Sequence, residues 1–561
     1  CVHVSILLHL VVIILWMQHS VECLKTVCVD LRRIVMRLDC GRGSVGCIDV
    51  SYAKHGELTM GLKVVLASMP GFPLRCTALA PCYALAQGAA AFHGQGHSVS
   101  VLDWGSLQSM ERFDTPVLRR SLERALSPGN RGPVSSRLKG YRQARNLTAL
   151  LSHATRDRYH EAAQSMLEES PDLVVFHLNN YKEFHAVHIL SKLLTHHRPE
   201  LSIGLMGTFA SRYKTHLLRA MAPLRVVLPL PEYTQTETSQ DLFYDVARYL
   251  DLESSERLQV YPFALDNGPG ALESTLMQVD DLVARLAPPL FVFDASTLSA
   301  LELESFARAM IQRRYSAHFA LRCPVQVLNA ENIPLLVLAG CRSVSVAVPT
   351  GSQRLLEDFY HVPYCVSQVE ATFERIHAAD LLSTIELTYP NPMDDYHTAA
   401  ETLRLLKRTQ PTTVEIHLPD VAPGDAWYER AIAYGFHVDP RRYQKWLEGD
   451  MAVQDQESSP YLMAGWSQLQ IQQATASLTK EIKSYGIHVG IDTLETLVAW
   501  QVSGSDDALD RTIQQLSDAL ALGDVQSLRS FLALSPVEHA PAWSMGSKYR
   551  PFIPALEAVG N

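Results

Sequence analysis

Short apolar runs recur along most of the chain, with helically spaced stretches between them. Between residues 62 and 231 the runs are Lys63–Ser68, Ser98–Asp103, Leu173–Leu178, Ser202–Met206 and Arg225–Leu230. Continuous runs of this length fit strands buried on both faces. Helical stretches separate them, chiefly Thr77–His93 and Glu183–His196. Such alternation predicts a parallel sheet with helices on both sides. A mostly helical insertion, about Leu107 to Ser170, divides the second strand from the third and carries a Pro/Gly/Ser break at Ser127–Ser136.

A second alternating series runs from about 258 to 440. Its candidate strands are Leu258–Phe263, Leu290–Asp294, Ala317–Arg322, Ser343–Val348, Thr384–Tyr389 and Thr413–Leu418, each followed by a helical segment. Six βα units predict a partial barrel, whose site belongs at the C-terminal ends of the strands. From about 451 the chain is Gln/Ser-rich and helical, with long stretches near Trp466–Tyr485 and Asp506–Ala521. The βα alternation is the only strong internal repeat.

Composition narrows the classes. The chain has 561 residues, enough for about three domains, with 47% hydrophobic and 19% charged residues. That is ordinary globular composition and excludes a disordered or collagen-like chain. Lys+Arg 49 against Asp+Glu 59 gives a net charge of -10, which argues against nucleic acid bound through a dominant basic surface.

The ten cysteines are too dilute for a disulfide scaffold. Five of them, Cys1, Cys23, Cys28, Cys40 and Cys47, fall in the first 59 residues. The apolar run Val4–Met17 is short for a membrane span and is interrupted by His9; no basic segment precedes it. Met60 stands just before the first strand. Residues 1–59 therefore read as a non-native or flexible extension, with a signal or anchor segment and a folded part of the protein as the alternatives, and a membrane enters only if residues 1–20 are a real anchor. The remainder reads as cytoplasmic, with reduced thiols.

Four strand-end segments carry the candidate chemistry of the first half. They are Ser68-Met69-Pro70-Gly71-Phe72-Pro73, Gly94-Gln95-Gly96-His97 leading to Asp103, Pro171-Asp172-Leu173-Val174-Val175, and Ile203-Gly204-Leu205-Met206-Gly207-Thr208-Phe209-Ala210-Ser211. Small residues at such turns let backbone approach a ligand, and any doubly wound domain has glycines there. In order and spacing the segments resemble the cobalamin-binding domain that precedes the barrel in B12-dependent radical SAM proteins. The resemblance covers about 62–232 apart from the insertion. It implies a corrinoid held near Ser68, Pro70, Gly207, Thr208 and Ser211. Met206 stands where the family usually has a second glycine, and the Asp-x-His-x-x-Gly element is absent, so no lower histidine ligand is implied. His177, ending the third strand, reads more simply as a satisfied histidine than as a ligand contact.

The second half resembles the radical SAM barrel over about 288–440. Leu338 to Leu356, with Pro349-Thr350-Gly351-Ser352 after the strand, is similar to the fourth-strand signature, with the acidic residue gone. Arg322 matches a polar position aimed at the SAM carboxylate, and Asp294 ends the second strand as the family's Asp does. Asp294, Arg322, Gly351 and Ser352 are thus the SAM-binding residues that the resemblance implies. Tyr389-Pro390-Asn391-Pro392-Met393-Asp394 is similar to the fifth-strand region, with Asp in place of Glu, and Pro423-Gly424-Asp425 with Ala433-Tyr434-Gly435 to the closing segment.

The chain departs from the family at the cluster loop. A [4Fe–4S] cluster is held by three thiolates, whereas the first barrel loop is Ala264-Leu265-Asp266-Asn267-Gly268-Pro269-Gly270, and no three cysteines have the Cys-x-x-x-Cys-x-x-Cys spacing. Cys323 and Cys341 lie on different elements. Cys76 and Cys82 share no helix face and read as small buried residues. No perturbed carboxylate pair or nucleophile–base set is visible, so catalytic residues are left unassigned and no protein-bound metal is expected.

The expected architecture is α/β. A Rossmann-like doubly wound B12-binding domain (60–235) precedes a (β/α)6 partial TIM barrel of radical SAM type (250–445) and a helical C-terminal domain (451–561). The resemblance implies methylation or radical modification of a natural product or peptide, with cobalamin and S-adenosylmethionine, and the cysteine-free loop leaves no expectation of the chain's own [4Fe–4S] cluster. Two alternatives stand beside it: a non-catalytic pseudoenzyme acting as partner of an active paralogue, and an active radical enzyme with unusual cluster ligands.

Overall fold

The computed structural model describes residues 61–69, 82–104, 156–178, 181–221, 224–227, 260–265, 267–268, 270–285, 290–315, 317–447, 460–503, 506–522, 524, 527–528 and 530–531. The expectations for residues 1–59, Pro70, Cys76, Asp266 and most of the helical insertion lie outside them.

The first sheet has the order β2-β1-β3-β4-β5, from β1 (Lys63–Ser68), β2 (Ser98–Asp103), β3 (Leu173–His177), β4 (Ser202–Met206) and β5 (Leu224–Val227). Every pairing is parallel. β1 and β3 are buried along nearly their whole length, as their unbroken apolar runs require. On one face Val64, Leu66, Val175 and Met206 meet Leu85 and Ala89 of α1 (Tyr83–Gly94). On the other, Val65, Ala67, Val174, Phe176 and Leu205 meet helix α2 (residues 156–168) and α3 (Tyr181–His197). Two short helices, α4 (Thr208–Arg212) and α5 (Lys214–Ala220), join β4 to β5.

The second sheet is also parallel, ordered β14-β11-β10-β9-β8-β7-β6. Its strands are β6 (Val260–Ala264), β7 (Leu290–Asp294), β8 (His318–Cys323), β9 (Cys341–Ala347), β10 (Leu382–Thr388), β11 (Thr413–His417) and β14 (His488–Val489). The intervening helices are α6 (Ala271–Arg285), α7 (Ala300–Arg313), α8 (Asn332–Leu338), α9 (Gln353–Asp358), α10 (Val366–Ala378) and α11 (Tyr396–Thr409). Strand alternation sorts the side chains. Phe291, Phe293, Phe319, Leu321, Val344, Val346, Ile385, Leu387 and Val414 join the helix-facing core. Positions of the other parity line the concave side.

Six strands were expected, and the seventh comes from the C-terminal region. That region has the expected helical content in α14 (Gln468–Ser484), α15 (Thr493–Ser503) and α16 (Asp506–Leu522), but it is interleaved with the barrel. β14 pairs with β11 through His488 and Val489. α15 fills the lower concave side, where Leu497, Val498 and Trp500 share a core with Val260, Leu290 and Ala320. His318 meets the Trp500 ring edge-on at 5.0 Å, and the Arg342 guanidinium lies 5.8 Å from the same ring. A hydrophobic plug of this kind shows in sequence only as another buried helix.

Between β11 and β14 lie α12 (Ala426–Glu429), the hairpin β12 (Phe436–Val438) and β13 (Tyr461–Met463), and α13 (Pro440–Leu447). α13 ties the two sheets together. Its Trp446 stands 5.9 Å from Phe209 and 5.7 Å from Tyr213, ring to ring, and Tyr443 stands 6.2 Å from Tyr213. Arg212 pairs with both Asp420 and Asp425 after β11. Among the described residues no helix is long and apolar enough to cross a membrane.

Candidate functional site

The carboxyl ends of β1 and β3 are the natural crevice of the first sheet, because connections leave these neighbouring strands in opposite directions there. Ser68 ends β1 and is buried; its hydroxyl donates to Asp103 at the end of the paired strand β2. Gly207 follows β4 with φ 112°, and a Cβ there would stand 2.4 Å from the Leu178 carbonyl oxygen. Close approach of two strand ends thus demands glycine here, whatever the crevice holds. Thr208 and Ser211 are exposed on α4. Met206 turns away from the crevice and packs against Leu66, in space left by Gly88 of α1.

One pair in this crevice was missed in the sequence. His177 is buried at the end of β3, with Nδ1 3.2 Å from Cys82 Sγ, and its Nε2 has no hydrogen-bond partner among the described residues. Burial pulls the imidazole down to about 4. Burial, with Asp103 and Glu183 nearby, pushes the Cys82 thiol well up, so it is no activated nucleophile. Cys82 and His177 are 95 positions apart, and only the β1–β3 pairing brings them together.

The second candidate site is the upper concave side of the barrel. Register places Asp294 beside Arg322, Arg322 beside Ser345, and Glu386 beside Glu415. Arg322 donates to Glu386 from Nε at 2.8 Å and Nη2 at 2.5 Å, and its Nη1 lies 3.8 Å from Asp294. Ser345 adds a 2.7 Å hydrogen bond to Glu386. His417 Nε2 lies 3.0 Å from Glu415, and that hydrogen bond raises the imidazole above its ordinary value. The outcome is a lumen with bound positive charge and an excess of carboxylates, open at Arg322, Asp294 and His417.

A perturbed carboxylate pair exists after all. Asp492 and Glu495 cap α15 reciprocally, each backbone N–H donating to the other's carboxylate, at 2.9 and 2.7 Å. Burial pushes Asp492 up to about 6 and Glu495 also upward, with Glu415 contributing to both. Glu-at-N3 capping was readable in the sequence, but its placement beside Glu415 was not, because it depends on α15 entering the barrel.

Asp294 and Arg322 thus come together on the lumen, whereas Gly351 and Ser352 are enclosed. A Cβ at Gly351 would stand 2.5 Å from Thr402 Cα of α11, and the Gly351 N–H donates to Thr402 Oγ1 at 2.9 Å. Ser352 is fully buried and its hydroxyl has no partner among the described residues. Asp394, the expected counterpart of a family Glu, folds back onto its own loop and accepts from Asn391 and Thr398.

Among solved structures, TsrM from Kitasatospora setae, a radical S-adenosylmethionine methyltransferase with cobalamin and a [4Fe–4S] cluster bound, is similar at 13% identity; the match covers 82% of this chain and 99% of that one, with TM-score 0.50. The chain has the fold of a cobalamin-binding radical SAM methyltransferase. TsrM with tryptophan and a SAM analogue is similar at 14% identity over 78% of this chain and 90% of that one, TM-score 0.47. OxsB, a cobalamin-dependent S-adenosylmethionine radical enzyme with aqua-cobalamin and S-adenosylmethionine bound, is similar at 11% over 82% and 71%, TM-score 0.42. No protein-family model matches the sequence, and no curated protein matches it.

Among the described residues no set of thiolates is grouped as an iron–sulfur cluster needs. The loop after β6 has no cysteine. Cys323 and Cys341 are buried among the helix-facing apolar residues, and burial pushes both thiols upward. Among the described residues no three His, Cys, Asp or Glu side chains are grouped to hold a metal ion. A corrinoid fits better. Thr208 and Ser211 are exposed at the turn after β4, and among the described residues His177 brings a buried polar atom without a partner.

Proposed function

We propose that the chain binds a corrinoid at the β1/β3 crevice and S-adenosylmethionine at the barrel lumen, and that it moves a methyl group to a small-molecule or peptide substrate without forming a 5′-deoxyadenosyl radical. The observation that carries this reading is the pairing of a corrinoid-compatible crevice with a polar lumen in a fold whose cluster loop has no thiolate. A bound corrinoid supplies a metal centre able to accept and donate methyl groups. The chain's own residues bind and orient. Arg322, kept charged by Glu386, faces a carboxylate; Asp294 and the surplus lumen carboxylates favour an ammonium or sulfonium. Gly351 and Ser352 support the lumen from beneath α11.

A second reading is a binding partner without catalysis. It is favoured by the same Arg322–Glu386 pair, in which the arginine assigned to a ligand carboxylate is already neutralised.

Anaerobic reconstitution with cobalamin, iron and sulfide separates these readings. Retained corrinoid, S-adenosylmethionine binding by calorimetry and no 5′-deoxyadenosine are expected. About four irons per chain, as a [4Fe–4S] cluster requires, together with 5′-deoxyadenosine would replace the proposal with a radical enzyme. Corrinoid binding without S-adenosylmethionine binding would favour the partner reading.

A further inference from the structure

His177 has two differently served nitrogens. Nδ1 meets Cys82 Sγ at 3.2 Å, while Nε2 is buried with no partner among the described residues. Buried polar atoms are nearly always hydrogen-bonded, and an exception calls for a cause. This exception sits at the strand-order switch of an open parallel sheet, where such sheets hold their ligands. Beside it, a Cβ at Gly207 would stand 3.2 Å from His177 Cδ2, the carbon bonded to Nε2. Glycine at 207 lets the turn after β4 pack closely beside the ring edge that carries the unpartnered atom.

The protonation of the pair favours one tautomer. Cys82 is held protonated by burial and by Asp103 and Glu183, and the imidazole is neutral, lowered to about 4 by burial. A protonated thiol is the stronger donor of the two and a neutral imidazole nitrogen the stronger acceptor, which assigns the S–H to Nδ1 and the ring proton to Nε2. A neutral donor in a desolvated place beside carboxylates suits an uncharged acceptor and opposes a phosphate or carboxylate.

We propose that His177, oriented by Cys82, is a ligand-contacting donor whose Nε2–H meets an amide carbonyl or an aromatic ring nitrogen of the molecule occupying the β1/β3 crevice. The choice of cobalamin as probe rests on the corrinoid reading above; the donor assignment does not.

The test uses the full chain with His177→Phe, which removes the donor, His177→Gln, which keeps one, and Cys82→Ala, which frees the ring. Without ligand, His177→Phe should melt no lower than the parent, because it removes an unsatisfied donor. Cobalamin binding, followed by absorbance, should weaken roughly ten-fold in His177→Phe and less in His177→Gln. Cys82→Ala should weaken binding and shift the His177 ¹⁵N signals away from the Nε2–H tautomer. Equal weakening with cobinamide, which lacks the nucleotide base, assigns the acceptor to a ring amide; weakening with cobalamin alone assigns it to the aromatic base. Equal binding by parent and His177→Phe overturns the proposal. If the parent binds neither corrinoid, the corrinoid reading fails, and free benzimidazole and acetamide titrated against ¹⁵N-histidine-labelled protein decide the donor. Movement of the His177 Nε2 signal supports it, and no movement with either overturns it.

Discussion

Arg322 and Glu386 face each other across β8 and β10 and are joined by two hydrogen bonds, at 2.8 and 2.5 Å. Ser345, on the strand between them, completes the carboxylate's partners at 2.7 Å. Glu386 is the enclosed member, with 11% of its side chain exposed against 49% for Arg322. Losing the arginine therefore strands a carboxylate beside Glu415. Arg322→Gln should cost roughly 1–3 kcal/mol, the penalty of an unpaired buried acceptor. The double variant Arg322→Gln/Glu386→Gln should cost less than the sum of the singles. Denaturant unfolding of the four proteins gives the cycle, and strict additivity would show the pair to be incidental.

Asp394 supplies a pH signature. Burial raises its carboxyl from 3.8 to about 6. The folded state then holds this proton more tightly than the unfolded state. Its stabilising contribution is complete below about pH 4 and is lost as pH rises through about 6, a difference near 3 kcal/mol. Asp492 titrates in the same direction, whereas His177 and His318, lowered to about 4, act oppositely as pH rises from about 4 to 6.5. Comparison with Asp394→Asn isolates the one group. The parent should lose stability relative to the variant between pH 4 and 7, by chemical unfolding at each pH. A parallel pair of curves would contradict the assignment.

The strand runs were legible because parallel strands covered on both faces are written as continuous apolar stretches: Lys63–Ser68, Ser202–Met206 and Leu290–Asp294 match their strands residue for residue. β14 was not legible, since a two-residue strand has no periodicity of its own. The role of α15 was hidden for a different reason. Thr493, Thr496, Leu497, Val498, Ala499 and Trp500 are all buried, so the helix has no polar stripe to show which surface it meets. At the site, Asp294 and Arg322 could be paired because both end neighbouring strands. Gly351 could not be sorted between ligand approach and helix approach, because both need the same missing Cβ. The Cys82–His177 contact depends on a strand crossover that local sequence does not encode.

Gly351→Ala separates those two explanations. Its Cβ would meet Thr402 Cα at 2.5 Å and Glu401 O at 2.9 Å, both backbone. α11 must move or the loop must open, at a cost of about 1–3 kcal/mol as for other overpacked sites. The melting temperature of the ligand-free protein should fall. If stability is unchanged and only S-adenosylmethionine binding weakens, the glycine serves the ligand and not the helix.

The joint between the two sheets offers a ranking. Arg212 pairs with Asp420 and Asp425, but all three side chains are more than a third exposed, and such pairs contribute about 0–1 kcal/mol. Trp446 is buried against Phe209, Tyr213 and Tyr443. Trp446→Ala should cost about 3–5 kcal/mol. Arg212→Ala should cost less than about 1 kcal/mol, and its effect should fade in 1 M salt, where the screening length is about 3 Å. Unfolding curves at low and high salt measure both. A larger loss in Arg212→Ala than in Trp446→Ala would mean that the charges, and not the aromatic cluster, hold α4 against the barrel side, and with it the turn at Gly207.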